Sequence, residues 1–376
     1  MKISADKSQA ILFTPNSREF KLKPEIYYEG SLIPVENQIK ILGLNLDTMH
    51  TGTPHLNVGK TKGCAKVKIL KAAQGSDFGL SKEDGLLTYK ALVSPVLGFG
   101  GPLWFPLRSP LKNPVAQLQT VQNPALRSVT GCHAAASQQH LLDECQVLSV
   151  YDHVAMQCRQ FLANTRQAHH PSNEVTSRPP GLRPNRKPTL QHCFGRDIER
   201  FVSEDGNISQ FNYKRAVKEL HKEAVSAALE SAGPNRLLGT RPPLINPAEA
   251  SLSRPFRTTL SCLRSDFCKD LASYSHFIND TVEDTCPLCL SAPQTVSHLF
   301  SCSAAPTDLV PTDLWMQPRE ASSLLAPLPS FSHLPPLAPP LPRPPPEPPP
   351  PGGAGSVGLP LCGARALFLW RFRRSS

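Results

Sequence analysis

The sequence predicts an α+β fold, in which a small antiparallel sheet precedes a mostly α-helical region and a proline-rich tail. Short apolar runs separated by turn residues fill residues 10–47, as expected for brief strands. Beyond residue 60 the apolar residues recur at helical spacing. From residue 326 onward prolines dominate, which favours polyproline II or disorder.

The composition favours a polyanionic partner. The 376 residues include 40 Lys and Arg against 30 Asp and Glu, which gives a net charge of +10. Such a basic balance is typical of proteins that bind nucleic acid, and the length suggests two or three domains. The sequence has 11 cysteines and no apolar run of the ~20 residues that a membrane helix needs, and its start leads us to expect no signal peptide. We therefore expect free thiols, a reducing compartment and no membrane contact.

The predicted elements follow from these patterns. Strands are predicted over 10–13, 20–23, 26–28, 32–33 and 39–47, and a loop over 48–57. Helices are predicted from residue 60, then over 81–93, 115–129, 137–148, 151–162, 214–232 and 257–274. Prolines and arginines over 166–190 predict a basic linker. Because so small a sheet cannot bury its apolar face alone, we expect further protein to pack on it.

Five lysines alternate with apolar residues along the first predicted helix. They are Lys60, Lys62, Lys66, Lys68 and Lys71. A basic helix face of this kind can rest on a phosphate backbone. The alternative, which composition alone favours, is a solvated helix surface.

Three cysteines and one histidine have the spacing of a zinc site. Cys286 and Cys289 form a Cys-x2-Cys pair, and His298 and Cys302 follow after eight and three further residues. A tight turn directs the first two sulfurs to one ion, and a short helix places His298 and Cys302 on one face. Three thiolates and one imidazole complete the tetrahedral set of structural Zn²⁺. We therefore predict a zinc knuckle over 286–302, the alternative being four unrelated buried groups.

Several short segments also follow one another in a fixed order. Lys7 precedes an apolar run, Leu42-Gly43 begin the pattern Leu-Gly-x-x-x-Asp, and segments 87–97, 101–104 and 121–131 come next. Segment 257–265 and the knuckle complete the order. Together they resemble the C-terminal part of the reverse transcriptase of non-LTR, jockey-like retrotransposons: the end of the palm, the thumb and a zinc knuckle.

The resemblance implies an RNA-directed DNA polymerase. In that family two Mg²⁺ ions are held by aspartates of a Tyr/Phe-x-Asp-Asp motif and by one further upstream. Asp6 and Asp47 stand alone here, so we expect the chain to start after the catalytic aspartates and to be inactive by itself. The resemblance places Lys7 near the incoming nucleotide and makes Leu42 and Gly43 the primer grip.

The remaining implications concern partners and domains. The lysine helix is expected to track an RNA/DNA primer–template duplex, and the knuckle to hold RNA, in a ribonucleoprotein of the nucleus and cytoplasm. The implied domains are a palm remnant over 1–57, a helical thumb over 58–165, the linker over 166–190, a helical region with the knuckle over 191–325, and the tail over 326–376.

Two other hypotheses stay open. One is a zinc-stabilised protein-interaction module without a nucleic-acid role. Its tail residues Arg343, Pro346 and Pro349 match a pattern that proline-recognition domains bind. The other is a fragment that barely folds because its sheet lacks partner strands.

Overall fold

A computed structural model describes residues 8–14, 18–19, 21–75, 78–105, 114–177 and 189–325. The predicted fold class is confirmed, since small antiparallel sheets precede a mostly helical region. Lys7, the basic segment 178–188 and the proline-rich tail lie outside the described residues.

Four short strands form two separate hairpins. β1 (Ile26–Tyr28) pairs with β2 (Ser31–Ile33), and β3 (Gln38–Ile41) pairs with β4 (Leu44–Asp47), both in antiparallel register. The strand predicted over 10–13 is wrong, because Ala10 makes an isolated parallel bridge with Val35 and the residues after it are irregular. The neighbouring Pro34 has no N–H with which to extend a ladder. Residues 21–23 are also irregular, next to Pro24.

The single strand predicted over 39–47 is wrong as well, because the chain reverses at Leu42-Gly43. Both residues have positive φ angles, 48° and 89°. Two consecutive left-handed residues make the type I′ turn, whose twist matches an antiparallel hairpin. The reversal pairs Ile41 with Leu44 and Gln38 with Asp47. The apolar run therefore becomes two strands with an exposed tip.

Helices form most of the remaining described chain. The α-helices are α1 (Thr53–Ala72), α2 (Lys82–Leu92), α3 (Ser94–Gly98), α4 (Gly101–Trp104), α5 (Pro114–Thr130), α6 (Gln138–Cys145), α7 (Val150–Thr165), α8 (Asn173–Ser177), α9 (Leu190–Glu199), α10 (Gln210–Glu230), α11 (Arg254–Arg264), α12 (Ala272–Ile278), α13 (Asp313–Met316) and α14 (Pro318–Ala321). Short 3-10 helices lie at Pro247–Ser251, Ser297–Phe300 and Ser322–Leu325.

Two helix predictions are corrected by local chemistry. α1 begins at Thr53, inside the predicted loop, because Pro54 suits a first helical turn, where its missing N–H is not needed. The helix predicted over 257–274 is divided, since α11 ends at Arg264 and Asp266 adopts a left-handed conformation with φ 60°. Such a residue ends a helix by turning the chain away from its axis.

Other helix signals hold, and several short helices were missed. Ser81 caps α2 by accepting a hydrogen bond from the backbone N–H of Asp84. α5 continues through Pro124. α8 lies inside the predicted linker and α9 begins at its last residue. The sequence predicted a linker here because prolines surround these two short segments.

The core has two parts within one compact unit. The larger part lies among α1, α2, α5, α6, α7, α9 and α10. The smaller part joins α11 to the chain around the predicted knuckle and to α13, through Leu263, Leu299 and Trp315. Trp315 therefore packs beside the knuckle.

Candidate metal centre and nucleic-acid interface

The four predicted metal ligands come together. The ligand atoms of Cys286, Cys289, His298 and Cys302 all lie within 4.8 Å of one another. The sulfurs of Cys286 and Cys302 are 3.9 Å apart, and the Cys289 sulfur is 3.3 Å from Nε2 of His298. Zinc bonds of about 2.3 Å to sulfur and about 2.0 Å to nitrogen imply tetrahedral S···S and S···N distances of about 3.8 and 3.5 Å. The cluster can hold a metal ion, and its donor set is consistent with zinc.

Backbone turns bring these residues together. The N–H of Cys286 donates to the carbonyl of Ala292, and the N–H of Leu290 donates to that of Cys286. Leu290 has a positive φ of 54°, which closes the loop between the first two cysteines and Ala292. His298 lies in the 3-10 helix Ser297–Phe300 rather than in the predicted α-helix, and Cys302 follows two residues after it ends. The tighter 3-10 turn still brings the ligand atoms of His298 and Cys302 close to those of the two other cysteines.

The surroundings of Cys289 favour its thiolate, whereas burial raises the pKa of Cys302. Hydrogen bonds from the side chain and the backbone of Ser291 lower the pKa of Cys289 to about 6. A thiolate is the form that binds a metal ion. Behind the cluster, the side-chain oxygen of the buried Gln294 accepts a hydrogen bond from the N–H of Ala272. Gln294 thereby ties the knuckle to the start of α12.

A buried ionic network, which the sequence analysis missed, lies where α11 meets the larger core. Arg264 has no exposed surface and donates to Glu144 at 2.9 Å and to Glu249. Lys82 lies 3.1 Å from Glu144. Arg264 also donates to the carbonyl of Leu314 at 2.9 Å. The apolar spacing around Arg264 suggested an ordinary helix face, and no local pattern showed that its side chain would find partners on three other segments.

The five predicted lysines of α1 divide into two groups. The stripe that α1 buries contains His55, Leu56, Gly63, Val67 and Leu70. At about 100° per residue, Lys60, Lys68 and Lys71 lie on one flank of this stripe, and Lys62 and Lys66 on the other. Lys62, Lys68 and Lys71 are exposed, whereas Lys60 and Lys66 are half-buried. The lysines thus border a wide solvent-facing surface on both sides rather than forming one narrow row.

The predicted primer-grip residues occupy the tip of the β3–β4 hairpin. Leu42 is 93% exposed, and Gly43 lies against the ring of Phe99. At the base of the hairpin, the carboxylate of Asp47 accepts hydrogen bonds from the N–H groups of Thr51 and Gly52. Asp47 therefore has a structural role, since it joins β4 to the start of α1.

The chain is similar to a probable RNA-directed DNA polymerase from the transposon X-element of Drosophila melanogaster. The two sequences are 27% identical over 152 residues, which is 40% of this chain and 16% of that protein. The resemblance to retrotransposon reverse transcriptases is confirmed. This chain thus matches about a sixth of the length of the X-element polymerase. No family model and no solved structure matches this chain.

Among the helices that the structure describes, none is long and apolar enough to cross a bilayer.

Proposed function

We propose that this chain is part of a retrotransposon-encoded RNA-directed DNA polymerase and that it holds nucleic acid. The observation that carries the proposal is the 27% identity to the X-element polymerase. The arrangement of the β3–β4 hairpin against α1 supports it, because an exposed turn and a basic helix lie next to each other. The net charge of +10 favours the same kind of partner.

In this proposal the lysines of α1 contact the backbone of an RNA/DNA primer–template duplex, and the hairpin tip with Leu42 and Gly43 meets the primer end. Contacts to phosphates orient a protein on a duplex without carrying sequence information. Their signature is an affinity that falls steeply as salt concentration rises.

We further propose that Cys286, Cys289, His298 and Cys302 bind Zn²⁺ and that the knuckle they fold contacts RNA. The donor set and the distances support the metal. Zinc held in a closed four-ligand site stabilises the fold rather than performing catalysis.

We also propose that this chain does not extend a primer by itself. Nucleotidyl transfer of this kind requires carboxylates that hold two Mg²⁺ ions. The sequence contains no Tyr/Phe-x-Asp-Asp motif. Incubation with a primer–template, nucleotides and Mg²⁺ should leave the primer unextended.

Binding of the purified chain to a primer–template duplex over a salt series tests the proposal. We expect each lost phosphate contact to reduce the slope of log affinity against log salt by about 0.9. Lys60, Lys68 and Lys71 are changed to Gln in one variant, and Lys62 and Lys66 in another, so that the two flanks of α1 are compared. The matched control changes the exposed α10 lysines Lys214, Lys218 and Lys222.

The outcomes separate the hypotheses. A smaller salt slope in either α1 variant, with the α10 control unchanged, supports duplex binding by α1. No duplex or RNA binding at low salt would exclude the nucleic-acid role and leave a zinc-stabilised interaction module. RNA binding that a zinc chelator abolishes, while duplex binding persists, would assign the RNA contact to the knuckle.

A further inference from the structure

His55 joins the β3–β4 hairpin to the turn before α4. The N–H of Asn45, in β4, lies 3.4 Å from Nδ1 of His55. Because a backbone N–H only donates, Nδ1 accepts, and Nε2 carries the hydrogen. Nε2 then donates to the carbonyl of Phe99 at 2.9 Å. One imidazole in the first turn of α1 therefore bridges the hairpin and the loop that carries Phe99.

The carbonyl of Phe99 is a shared anchor. The indole Nε1 of Trp104 also donates to it, at 3.0 Å. Trp104 is buried in the larger core, so the anchor is itself fixed. The ring of His55 lies 5.7 Å from the ring of Phe99. The hairpin is thus attached to the helical core through a small set of directed contacts.

Close packing reinforces these hydrogen bonds. Gly100 has φ 69°, and a Cβ on it would lie 2.4 Å from Cδ2 of Leu44. A Cβ on Gly43 would lie 3.4 Å from the Phe99 ring. The hairpin next to its tip therefore rests directly on residues 99 and 100, where a side chain at Gly100 would push Leu44 away.

His55 offers a ligand little surface of its own, since only 8% of it is exposed. Leu42, by contrast, projects freely from the tip. Whatever His55 contributes to binding must act through the direction in which it holds the hairpin. His55 and the lysines belong to the same helix, α1, so the contact that holds the tip lies on the element that carries the lysines.

We propose that His55 is a positioning residue that directs the hairpin tip to the recessed 3′ end of a primer while α1 holds the duplex backbone. This rests on the proposed nucleic-acid function and adds to it the residue that orients the hairpin tip. The side chains of His55 and Trp104 and the carbonyl of Phe99 hold the tip, and Leu42 and Gly43 make the contact.

The test uses the full chain and two DNA/RNA duplexes, one with a recessed 3′ end and one blunt. A 2-aminopurine base at the 3′ end of the primer reports contact at that end, and the same base at an internal position is the reference. The variants are His55→Ala, His55→Gln, whose amide can still donate to Phe99, and Leu42→Asp at the tip. Thermal melting followed by circular dichroism shows whether each variant is folded.

We expect the terminal fluorescence change to be lost in Leu42→Asp and His55→Ala and restored in part by His55→Gln. Affinity for the recessed duplex should fall about fivefold in His55→Ala, because the tip is no longer held toward the primer end, with affinity for the blunt duplex unchanged. A purely structural His55 would instead lower the affinity for both duplexes equally and leave the terminal signal intact in the bound fraction.

Two negative results have different meanings. If Leu42→Asp loses the terminal signal but folded His55→Ala and His55→Gln keep it, His55 does not position the tip and the proposed function stands. If the wild-type chain binds both duplexes without any terminal signal, the hairpin is not a primer grip and the inference about His55 fails with it. If it binds neither duplex, the proposed function fails first.

Discussion

Glu144 illustrates how strongly the tertiary environment changes a single side chain. In the sequence it is one of two adjacent acidic residues on a predicted helix. In the structure it is buried between Lys82 and Arg264, with only 2% of its side chain exposed. Burial alone would raise the pKa of Glu144, but Lys82 and Arg264 together outweigh it and lower the pKa to about 2. The positive charges of Lys82 and Arg264 thus balance the negative charges of Glu144 and Glu249.

This network predicts a specific acid dependence of stability. Because the folded pKa of Glu144 lies below its unfolded value, its contribution is complete at neutral pH and is lost as pH falls from about 4 toward 2. Glu144→Gln should lower the free energy of unfolding at pH 7 by roughly 3 kcal/mol and flatten its decline in that window. Urea unfolding at a series of pH values measures both effects.

The matched control is Glu223→Gln, which removes a half-exposed ion pair with Arg200. Such a pair contributes no more than about 1 kcal/mol. A Glu144→Gln variant with the acid dependence of the wild-type chain would contradict the role assigned to the network.

The β3–β4 hairpin shows that a short turn can decide an element. The alternation of residues 39–47 fits one strand, yet two left-handed residues divide it. Leucine adopts this conformation at a steric cost, whereas glycine adopts it freely because it has no Cβ. The antiparallel pairing of four residue pairs and the contacts with Phe99 and His55 compensate for that cost at Leu42.

Gly43 is therefore expected to be sensitive to a side chain. Gly43→Ala places a Cβ at φ 89° and within 3.4 Å of the Phe99 ring, so it should destabilise the chain by about 1–2 kcal/mol. Gly233→Ala is the control, since a Cβ there meets nothing within 4 Å and its φ is not positive. Equal unfolding free energies for the two variants in urea would show that the turn is not under this constraint.

Arginines join the two core regions of the described chain. The guanidinium of Arg254 donates to the carbonyls of Gly75 and Ser128, at the ends of α1 and α5, at 2.7 and 2.8 Å. Arg264 connects α11 to α2 and α6 through their acidic and basic side chains. A cation near the C-terminal carbonyls of a helix is favourable. The knuckle packs on α11, and α11 in turn contacts the end of α1, the helix that carries the lysines.

This continuity predicts that zinc affects the whole chain. Adding a chelator, or changing Cys289 to Ser, should lower the midpoint of the cooperative thermal transition that includes the helices, because metal-binding energy contributes to folding. Circular dichroism of the zinc-loaded chain, with and without chelator, measures it. Cys64→Ser is the control, since Cys64 is exposed on α1 and is not a ligand. A separate, zinc-dependent step with unchanged helix melting would show that the two regions unfold independently.

Local signals were sufficient where structure depends on neighbours in the sequence. The Ser81 cap, the apolar stripes of α5 and α7, and the four metal-ligand positions follow from spacing along the chain. Four ligand types at suitable intervals need only short turns to meet, so the cluster was foreseen down to its residues. The resemblance to retrotransposon polymerases rested in the same way on the order of short motifs.

Contacts between distant segments were decided by tertiary structure. The division of 39–47 into two strands, the early start of α1, the bridge through His55, and the network of Arg264 with Glu144, Glu249 and Lys82 each join residues far apart in the chain. Their geometry depends on how helices pack, which no local pattern contains. The sequence by itself thus determined the α+β class, the positions of the Cys/His cluster and the family resemblance. Only the tertiary structure decided how the hairpin, the lysine helix and the knuckle are held together, because buried hydrogen bonds and charges are satisfied by partners that folding alone brings near.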